Sequence, residues 1–508
     1  MNRQISRVAL LALVLLSALV VATTYWQTWA SGGLAARQDN EIQRVAQFEI
    51  KRGVIYASDG HTVLATNVRR KRAGQTLYFR VYPTHGFASQ TVGYSTQSRS
   101  RAGIEREENS YLTASNKTLG TIFDTLGDRL RGATITGNNL VLTLRVGVQK
   151  LAQSLLAGKC GAAVALNPKT GAVYAMASSP TYDPNLIEKP RGYAQIQQTR
   201  APCTPAAPLL NRATQGLYPP GSTFKTVTAA AALDDGVFTP QSTFYDPGYC
   251  TEYGKQVKNA LDQSGGAEAF GHVNFVDAYV HSINAVFCMI GQKIGAGRVL
   301  DQAKKFGFYS TPPLETPSDA RSPSALYNHG RPFDPKDPAA QVDPGRLAFG
   351  QERMLVTPLQ MALVAAAIAN NGKVPVPRLV KEVRSPGGGV IAKLHPRTWK
   401  QATKPETAAA IKDMMVGVVQ RGTGTAAQIP GVIVAGKTGT AELSANSRNY
   451  DAWFIFFAPA ENPVVAGAVV VENQPNGFGG AIAAPIAKQI MQAILPQASN
   501  SKSGTNGH

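Results

Sequence analysis

An apolar run from Val8 to Ala22 continues through Thr23, Thr24, Tyr25 and Trp26. Its length is near the roughly 20 residues that span a bilayer. Arg3 and Arg7 precede it and two aromatics close it, the pattern of a membrane helix whose N-terminus stays cytoplasmic. A cleaved signal peptide is the competing reading, with Thr28-Trp29-Ala30 as the cleavage site, but the run is long for one. An uncleaved anchor is expected, with the bulk of the chain outside the cytoplasm. Residues 27 to about 142 mix short β-like runs, such as Thr76 to Val81 and Thr134 to Leu144, with charged, Gly-rich loops. From Leu144 the texture changes. A helical period over Val146 to Ala157 leads into two apolar runs, Ala162 to Leu166 and Ala172 to Ala177, that read as a hairpin. Ala-rich helical segments follow at Thr226 to Leu233, Met361 to Asn370 and Glu406 to Val419. Strand-like runs Trp453 to Phe457 and Val464 to Val471 precede a helix over Ala483 to Leu495. Phe308 to Val342 is rich in Pro and Ser and reads as a long surface loop. The polar stretch Ser499 to His508 reads as a disordered tail. Helices followed by a run of strands imply an α+β domain with an antiparallel sheet.

At 508 residues the chain is long enough for two or three domains, and 44% hydrophobic residues suit a full core. Lys+Arg 51 against Asp+Glu 32 gives a net charge of +19, which suits an anionic neighbour such as nucleic acid, lipid headgroups or wall polymers. Arg69-Arg70-Lys71-Arg72 is the densest basic run; no nucleic-acid-binding motif accompanies it, and it reads as a solvated loop. The four cysteines, Cys160, Cys203, Cys250 and Cys288, show no metal-ligand spacing, and no metal or cofactor is expected. They allow three pairings. Pairing Cys250 with Cys288 leaves Cys160 with Cys203; buried free thiols are the alternative, most open for the second pair.

The chemistry concentrates in three short pieces. Ser222-Thr223-Phe224-Lys225 follows Tyr218-Pro219-Pro220-Gly221 and runs into an Ala-rich helix. A spacing of three on a helix puts Lys225 on the face of Ser222, where it can take the proton that keeps a serine a poor nucleophile. Near a helix N-terminus, the backbone N–H of Ser222 is available to an oxyanion. Alone, such a pair is most often a solvated helix face. Ser282-Ile283-Asn284 and Lys437-Thr438-Gly439-Thr440 follow in order, the latter after the apolar run Val432 to Gly436. S-x-x-K, S-D-N and K-T-G in this order mark penicillin-binding proteins and class A β-lactamases; Ile283 replaces the middle Asp. Lys169-Thr170-Gly171 is a second K-T-G, but it lies between two apolar runs and reads as a turn. Ser444-Ala445-Asn446 and Ser447-Arg448-Asn449 also fit S-x-N, in the wrong order.

Taken together, the chain resembles a class B penicillin-binding protein, a membrane-anchored peptidoglycan D,D-transpeptidase, of the actinobacterial penicillin-binding protein A type. The resemblance rests on Asn211-Arg212-Ala213, Tyr218 to Lys225, Asn167 to Gly171 with Ser179-Pro180, Thr357 to Ala362, and Lys437 to Glu442. Upstream, Arg52-Gly53-Val54-Ile55, Arg80-Val81-Tyr82-Pro83 and Gly103-Ile104-Glu105 resemble the family's pedestal motifs. Gly350-Gln351-Glu352 departs from the family's Gly-Gln-Gly. The pedestal is too short for a glycosyltransferase domain and lacks its acidic motif, which argues against a bifunctional class A enzyme. The resemblance implies an α+β penicilloyl-serine transferase domain with a central antiparallel sheet, after a β-rich pedestal and one transmembrane helix. The expected divisions are a cytoplasmic tail (1–7), an anchor (8–26), a pedestal (27–142), a transpeptidase domain (143–497) and a disordered tail (498–508).

By the same resemblance, Ser222 attacks the penultimate D-Ala carbonyl of a stem peptide and Lys225 accepts its proton. Ser282 relays the proton to the leaving D-Ala, and Asn284 binds the substrate amide and Lys225. Lys437 supplies positive charge, and Thr438, Gly439 and Thr440 line the place of the substrate carboxylate. An amine from a neighbouring stem then takes the acyl group. β-Lactams are the implied covalent inhibitors, with a polytopic glycosyltransferase and division or elongation proteins as partners. A D,D-carboxypeptidase or β-lactamase on the same fold is the enzymatic alternative, and a non-catalytic penicillin-binding scaffold the other. A β-lactam sensor is disfavoured, because only a handful of residues precede the anchor and leave no room for an output domain.

Overall fold

The computed structural model describes residues 2–26, 47–72, 74–115, 134–259, 268–442 and 449–496. The first apolar run forms α1 (Asn2–Thr24), of which Gln4–Thr24 is long and apolar enough to cross a membrane. Within it the Thr23 hydroxyl donates to Leu19 O at 2.8 Å, so the polar group is satisfied inside the helix. The tail from residue 497 and the decoy Ser444-Ala445-Asn446 lie outside the described residues.

Beyond it come β1 (Ile55–Tyr56), β2 (Val63–Arg72), β3 (Gln75–Val81) and β4 (Asn139–Leu142). Next are α2 (Val146–Leu155), β5 (Gly161–Leu166), β6 (Val173–Ser179) and α3 (Lys225–Asp234). The hairpin β7 (Tyr249–Glu252) and β8 (Lys255–Lys258) precedes α4 (Phe275–Val280) and α5 (Asn284–Ile294). Further along are β9 (Ala325–Asn328), β10 (Arg331–Pro332), β11 (Met354–Leu355) and α6 (Pro358–Ala369). Then come β12 (Val380–Arg384), β13 (Val390–Lys393) and α7 (Pro405–Arg421). The last elements are β14 (Ala435–Glu442), β15 (Asn449–Ala458), β16 (Val465–Pro475) and α8 (Gly479–Ile494).

β14-β15-β16-β5-β6 form one antiparallel sheet. Successive side chains alternate between its faces. Ala162, Val164 and Leu166 join the cluster that contains α3, α6 and α7, whereas Ala163 and Ala165 join the cluster that contains α2 and α8. Both faces are therefore covered, and the strands read as unbroken apolar runs rather than alternating ones. The first K-T-G closes the β5–β6 hairpin, where Asn167 Oδ1 accepts from Lys169 N and Thr170 N, both at 2.9 Å. It is a turn held by an Asn side chain.

A second sheet runs β13-β12-β4-β1-β2-β3. Its centre is N-terminal, yet the hairpin β12–β13 comes from beyond α6. Beside it the three upstream motifs meet on one buried carboxylate: Arg52 and Arg80 bond Glu105 at 2.9 and 2.6 Å, and the Tyr82 hydroxyl donates to it at 3.3 Å.

Two expectations are corrected. Arg69 to Arg72 is not a loop but the end of β2, paired with β3 in the register Arg69↔Tyr78 to Arg72↔Gln75. The ladder bonds are backbone, so they tolerate basic side chains such as Arg69, Arg70 and Lys71, which stay in solvent. The segment 308–342 is not purely a surface loop. β9 pairs with β10 and β11, and Leu314, Ser324, Ala325 and Leu326 are buried. Its apolar insertions are too short to set up a period among the prolines.

Candidate active site

Tyr218-Pro219-Pro220 delivers the chain into a single 3₁₀ turn, Gly221–Phe224, that runs directly into α3. Ser222, half-buried, sits in that turn one position after Gly221. Gly221 has φ +50°, and a Cβ there would lie 2.9 Å from Thr440 O. A Cβ at Gly439 would come 2.8 Å from Thr223 Cγ2 and 2.9 Å from Pro220 O. These two glycines let the serine turn lie against β14, an edge strand of the sheet.

Behind the serine two lysines meet, both fully buried. Lys225 Nζ donates to Ser282 O at 2.6 Å and Asn284 Oδ1 at 2.7 Å, and lies 3.2 Å from Ser282 Oγ. Lys437 Nζ donates to the same Ser282 Oγ at 2.8 Å and to Thr438 O at 3.2 Å. The rings of Phe287 and Tyr279 lie 5.2 and 5.6 Å from the two amines. Burial first, then the charge of Lys437, pulls the Lys225 amine well below the usual lysine value. The acceptors at its Nζ work the other way, but they do not replace the lost hydration of a full charge. Burial brings Lys437 down to about 7. Two amines beside one hydroxyl resist being charged together, so they titrate as a pair.

Ser282 joins α4 to α5 with φ +60°, a conformation that a non-glycine residue rarely takes. The strain aims its carbonyl and hydroxyl at the lysines. Ile283 is buried in the apolar core, which explains an apolar residue at the middle of S-x-N. Sequence reasoning missed what holds this corner. Asn259 Oδ1 accepts from Ala285 N at 2.9 Å, and its amide donates to Asp246 Oδ2 at 2.8 Å. Lys258 O accepts from Asn284 Nδ2 at 3.4 Å. Cys250 and Cys288 form a disulfide that ties β7 to α5, and Cys160 is joined to Cys203. Two groups among the described residues have metal-like spacing: Cys160 and Cys203 with Glu472, and Cys250 and Cys288 with Glu252. In each the sulfurs are spent in a disulfide, which removes the thiolate a metal binds.

Thr438 and Thr440 share the face of β14 opposite Lys437 and Gly439. Their hydroxyls meet Thr423 Oγ1 at 2.6 Å and Gly479 N at 3.3 Å. Thr423, in the turn after α7, had no motif to announce it. Ser222, Lys225, Ser282, Asn284 and Lys437 thus come from three separate stretches to one corner, with Gly439 and Thr440 against the serine turn. The arrangement offers a half-exposed hydroxyl, a depressed amine behind it, a second hydroxyl bridging two amines, and backbone N–H groups on a turn and an edge strand. That is equipment for acyl transfer.

Residues 161–492 match the penicillin binding protein transpeptidase domain, and residues 52–140 the penicillin binding protein A dimerisation domain. The chain is 34% identical to peptidoglycan D,D-transpeptidase PbpA of Mycolicibacterium smegmatis, over 98% of this chain and 100% of that protein. It is 32% identical to peptidoglycan D,D-transpeptidase MrdA of Escherichia coli K12, over 71% of this chain and 58% of that one. The structure of penicillin-binding protein A from M. tuberculosis as an imipenem acyl-enzyme superposes with a TM-score of 0.76 at 32% identity, covering 89% of this chain and 100% of that one. The penicillin G acyl-enzyme of the same protein gives 0.75 at 33% identity, covering 88% and 100%. The chain belongs to the penicillin-binding protein transpeptidase family, and within it to the penicillin-binding protein A type.

Proposed function

We propose that this protein is a membrane-anchored peptidoglycan D,D-transpeptidase that cross-links stem peptides through an acyl-enzyme on Ser222. The observation that carries the reading is the meeting of two fully buried lysines on the Ser282 hydroxyl, beside the turn that bears Ser222. Full-length likeness to proteins named peptidoglycan D,D-transpeptidase supports the reaction, and likeness to β-lactam acyl-enzymes supports a covalent serine.

Ser222 Oγ attacks the carbonyl carbon of the penultimate D-Ala, and its proton passes to Lys225 Nζ. A neutral amine suits this role, because two N–H bonds serve the short contacts to Ser282 O and Asn284 Oδ1 and leave a lone pair. The oxyanion forms against the backbone N–H groups of Ser222 and Thr440. As the C–N bond breaks, Ser282 Oγ gives its proton to the departing D-Ala amine and is resupplied from the lysines. Lys437 keeps the serine network positive, Asn284 orients the substrate amide, and Thr438, Gly439 and Thr440 hold the terminal carboxylate. An amine from a second stem then attacks the ester carbonyl, loses its proton to the same network, and releases Ser222.

Residues 1–7 lie in the cytoplasm, 8–26 in the membrane, 27–142 form a pedestal, 143–497 the catalytic domain and 498–508 a tail. A polytopic glycosyltransferase supplies the glycan strands, with division or elongation proteins alongside. The test is product analysis with the full-length protein and lipid-linked substrate polymerised by such a partner. Cross-linked dimers that vanish with Ser222→Ala support the reading. Trimmed monomers alone make the protein a carboxypeptidase, rapid turnover of penicillin makes it a β-lactamase, and dimers that persist in Ser222→Ala make it a scaffold.

A further inference from the structure

Glu472, near the end of β16, takes part in none of the motifs, yet Tyr218, Arg212 and Cys160 all converge on it. Its Oε1 accepts from Tyr218 OH at 2.6 Å and from Arg212 Nε at 2.7 Å. Its backbone N–H donates to Cys160 O at 2.8 Å. Arg212 is buried, and its remaining donors go to Ala207 O, Ala206 O and the Cys203 sulfur at 3.1, 2.9 and 3.3 Å. The Cys160–Cys203 disulfide therefore holds both ends of the Arg212–Glu472 pair. Tyr218 stands four residues before Ser222. Burial, then the charge of Glu472, pushes its phenol well above the usual value, so the hydroxyl remains a donor. From the other side Trp453 packs edge-on against the Tyr218 ring at 6.0 Å, donates from Nε1 to Pro219 O at 3.0 Å, and pairs with Gly439 on β14.

We infer that Glu472 is a positioning residue for acylation: through Tyr218 it fixes the Pro219-Pro220-Gly221 entry, and so sets where Ser222 Oγ stands relative to Lys225 and β14. This rests on Ser222 being the nucleophile. Two donors on one carboxylate oxygen hold Tyr218 firmly, because a charged hydrogen bond is shorter and stronger than a neutral one. A nucleophile displaced by about 1 Å loses up to about 100-fold in rate.

The experiment is stopped-flow acylation by fluorescent penicillin of wild type, Glu472→Gln, Tyr218→Phe and the double variant, with the labelled residue mapped by mass spectrometry. The expected result is full labelling at Ser222, with the acylation rate constant about ten-fold or more lower in each single variant and unchanged pre-acylation binding. The double variant should be no slower than Glu472→Gln, since both changes cut one connection. Wild-type acylation rate constants in the single variants overturn the inference. So does a reduced labelled fraction whose rate constant is wild-type, the mark of a purely structural role. Glu472→Gln leaves a buried guanidinium without its counter-charge; if it does not fold, Tyr218→Phe, which removes only a hydroxyl, decides alone. Label away from Ser222 in wild type sinks the proposed function itself, and this inference with it. Label at Ser222 with unchanged rates sinks only the inference.

Discussion

Lys225 and Lys437 share Ser282 Oγ, and the proposed mechanism needs them in opposite states. If Ser222 hands its proton to Lys225 as proposed, that amine must be neutral, and acylation should rise as pH climbs through the depressed Lys225 value. In the same proposed mechanism Lys437 acts as a cation, so the rate should fall again as pH passes about 7. Lys437→Ala should lower the acylation rate by roughly 100- to 1,000-fold and abolish the falling limb. It should also move the rising limb to higher pH, because the neighbouring charge no longer depresses Lys225. A falling limb that survives in Lys437→Ala assigns it to another group. Asp451 titrates in the opposite sense. Burial raises its carboxyl from 3.8 to about 7, so the native state holds a proton that the unfolded chain releases. Its contribution to stability is therefore present at acid pH and lost as pH rises toward and through about 7. Asp451→Asn should show a smaller fall in Tm between pH 5 and 8 than wild type; an equal fall places the titration elsewhere. The serine, lysine and asparagine positions were legible because each lies within a few residues of a helix start or a strand. Glu472, Asn259 and Thr423 were not, because their partners lie 254, 26 and 15 residues away and no local spacing announces them.

Elements were legible where burial is regular. The Ala-rich segments that become α3, α6 and α7 and the runs that become β15 and β16 show their period in the chain itself. α6 also carries its own start signal: Thr357 accepts from Gln360 N at 3.2 Å, with Pro358 at the first helical position. Elements defined by a distant partner were not legible. β12 and β13 declare nothing about joining β4, since strand pairing is set by tertiary contact rather than by local pattern. The β7–β8 hairpin supports α5 through Asn259, Lys258 and the Cys250–Cys288 bond. Replacing both cysteines by Ser should cost about 2–5 kcal/mol in stability. Loosening Asn284 should also slow acylation by penicillin. Thermal unfolding together with labelling rates reads both effects. Unchanged rates at reduced stability confine the disulfide to folding.

Across the whole molecule, the second sheet takes strands from two distant stretches of the chain. β1, β2, β3 and β4 are joined by β12–β13, so the N-terminal part and the catalytic part share backbone hydrogen bonds. On the N-terminal side of this sheet Glu105 lies between Arg52 and Arg80, with its carboxylate fully buried. Glu105→Gln leaves two buried guanidinium groups without their counter-charge and should cost about 3–5 kcal/mol. Because the sheet is shared, loss of the triad and loss of penicillin binding should appear in one thermal transition. Two separated transitions contradict that coupling. The net charge of +19 and the apolar α1, long enough to cross a membrane, act at the same scale, and a basic exterior attracts anionic surfaces.

All of these effects presuppose one covalent event. The direct measurement is labelling of full-length wild type and Ser222→Ala with fluorescent penicillin, followed by peptide mapping. One adduct per chain on Ser222 in wild type, and none in Ser222→Ala, is the expected result. Labelling of Ser222→Ala at the wild-type rate, or an adduct on another residue of the wild type, contradicts a nucleophilic Ser222.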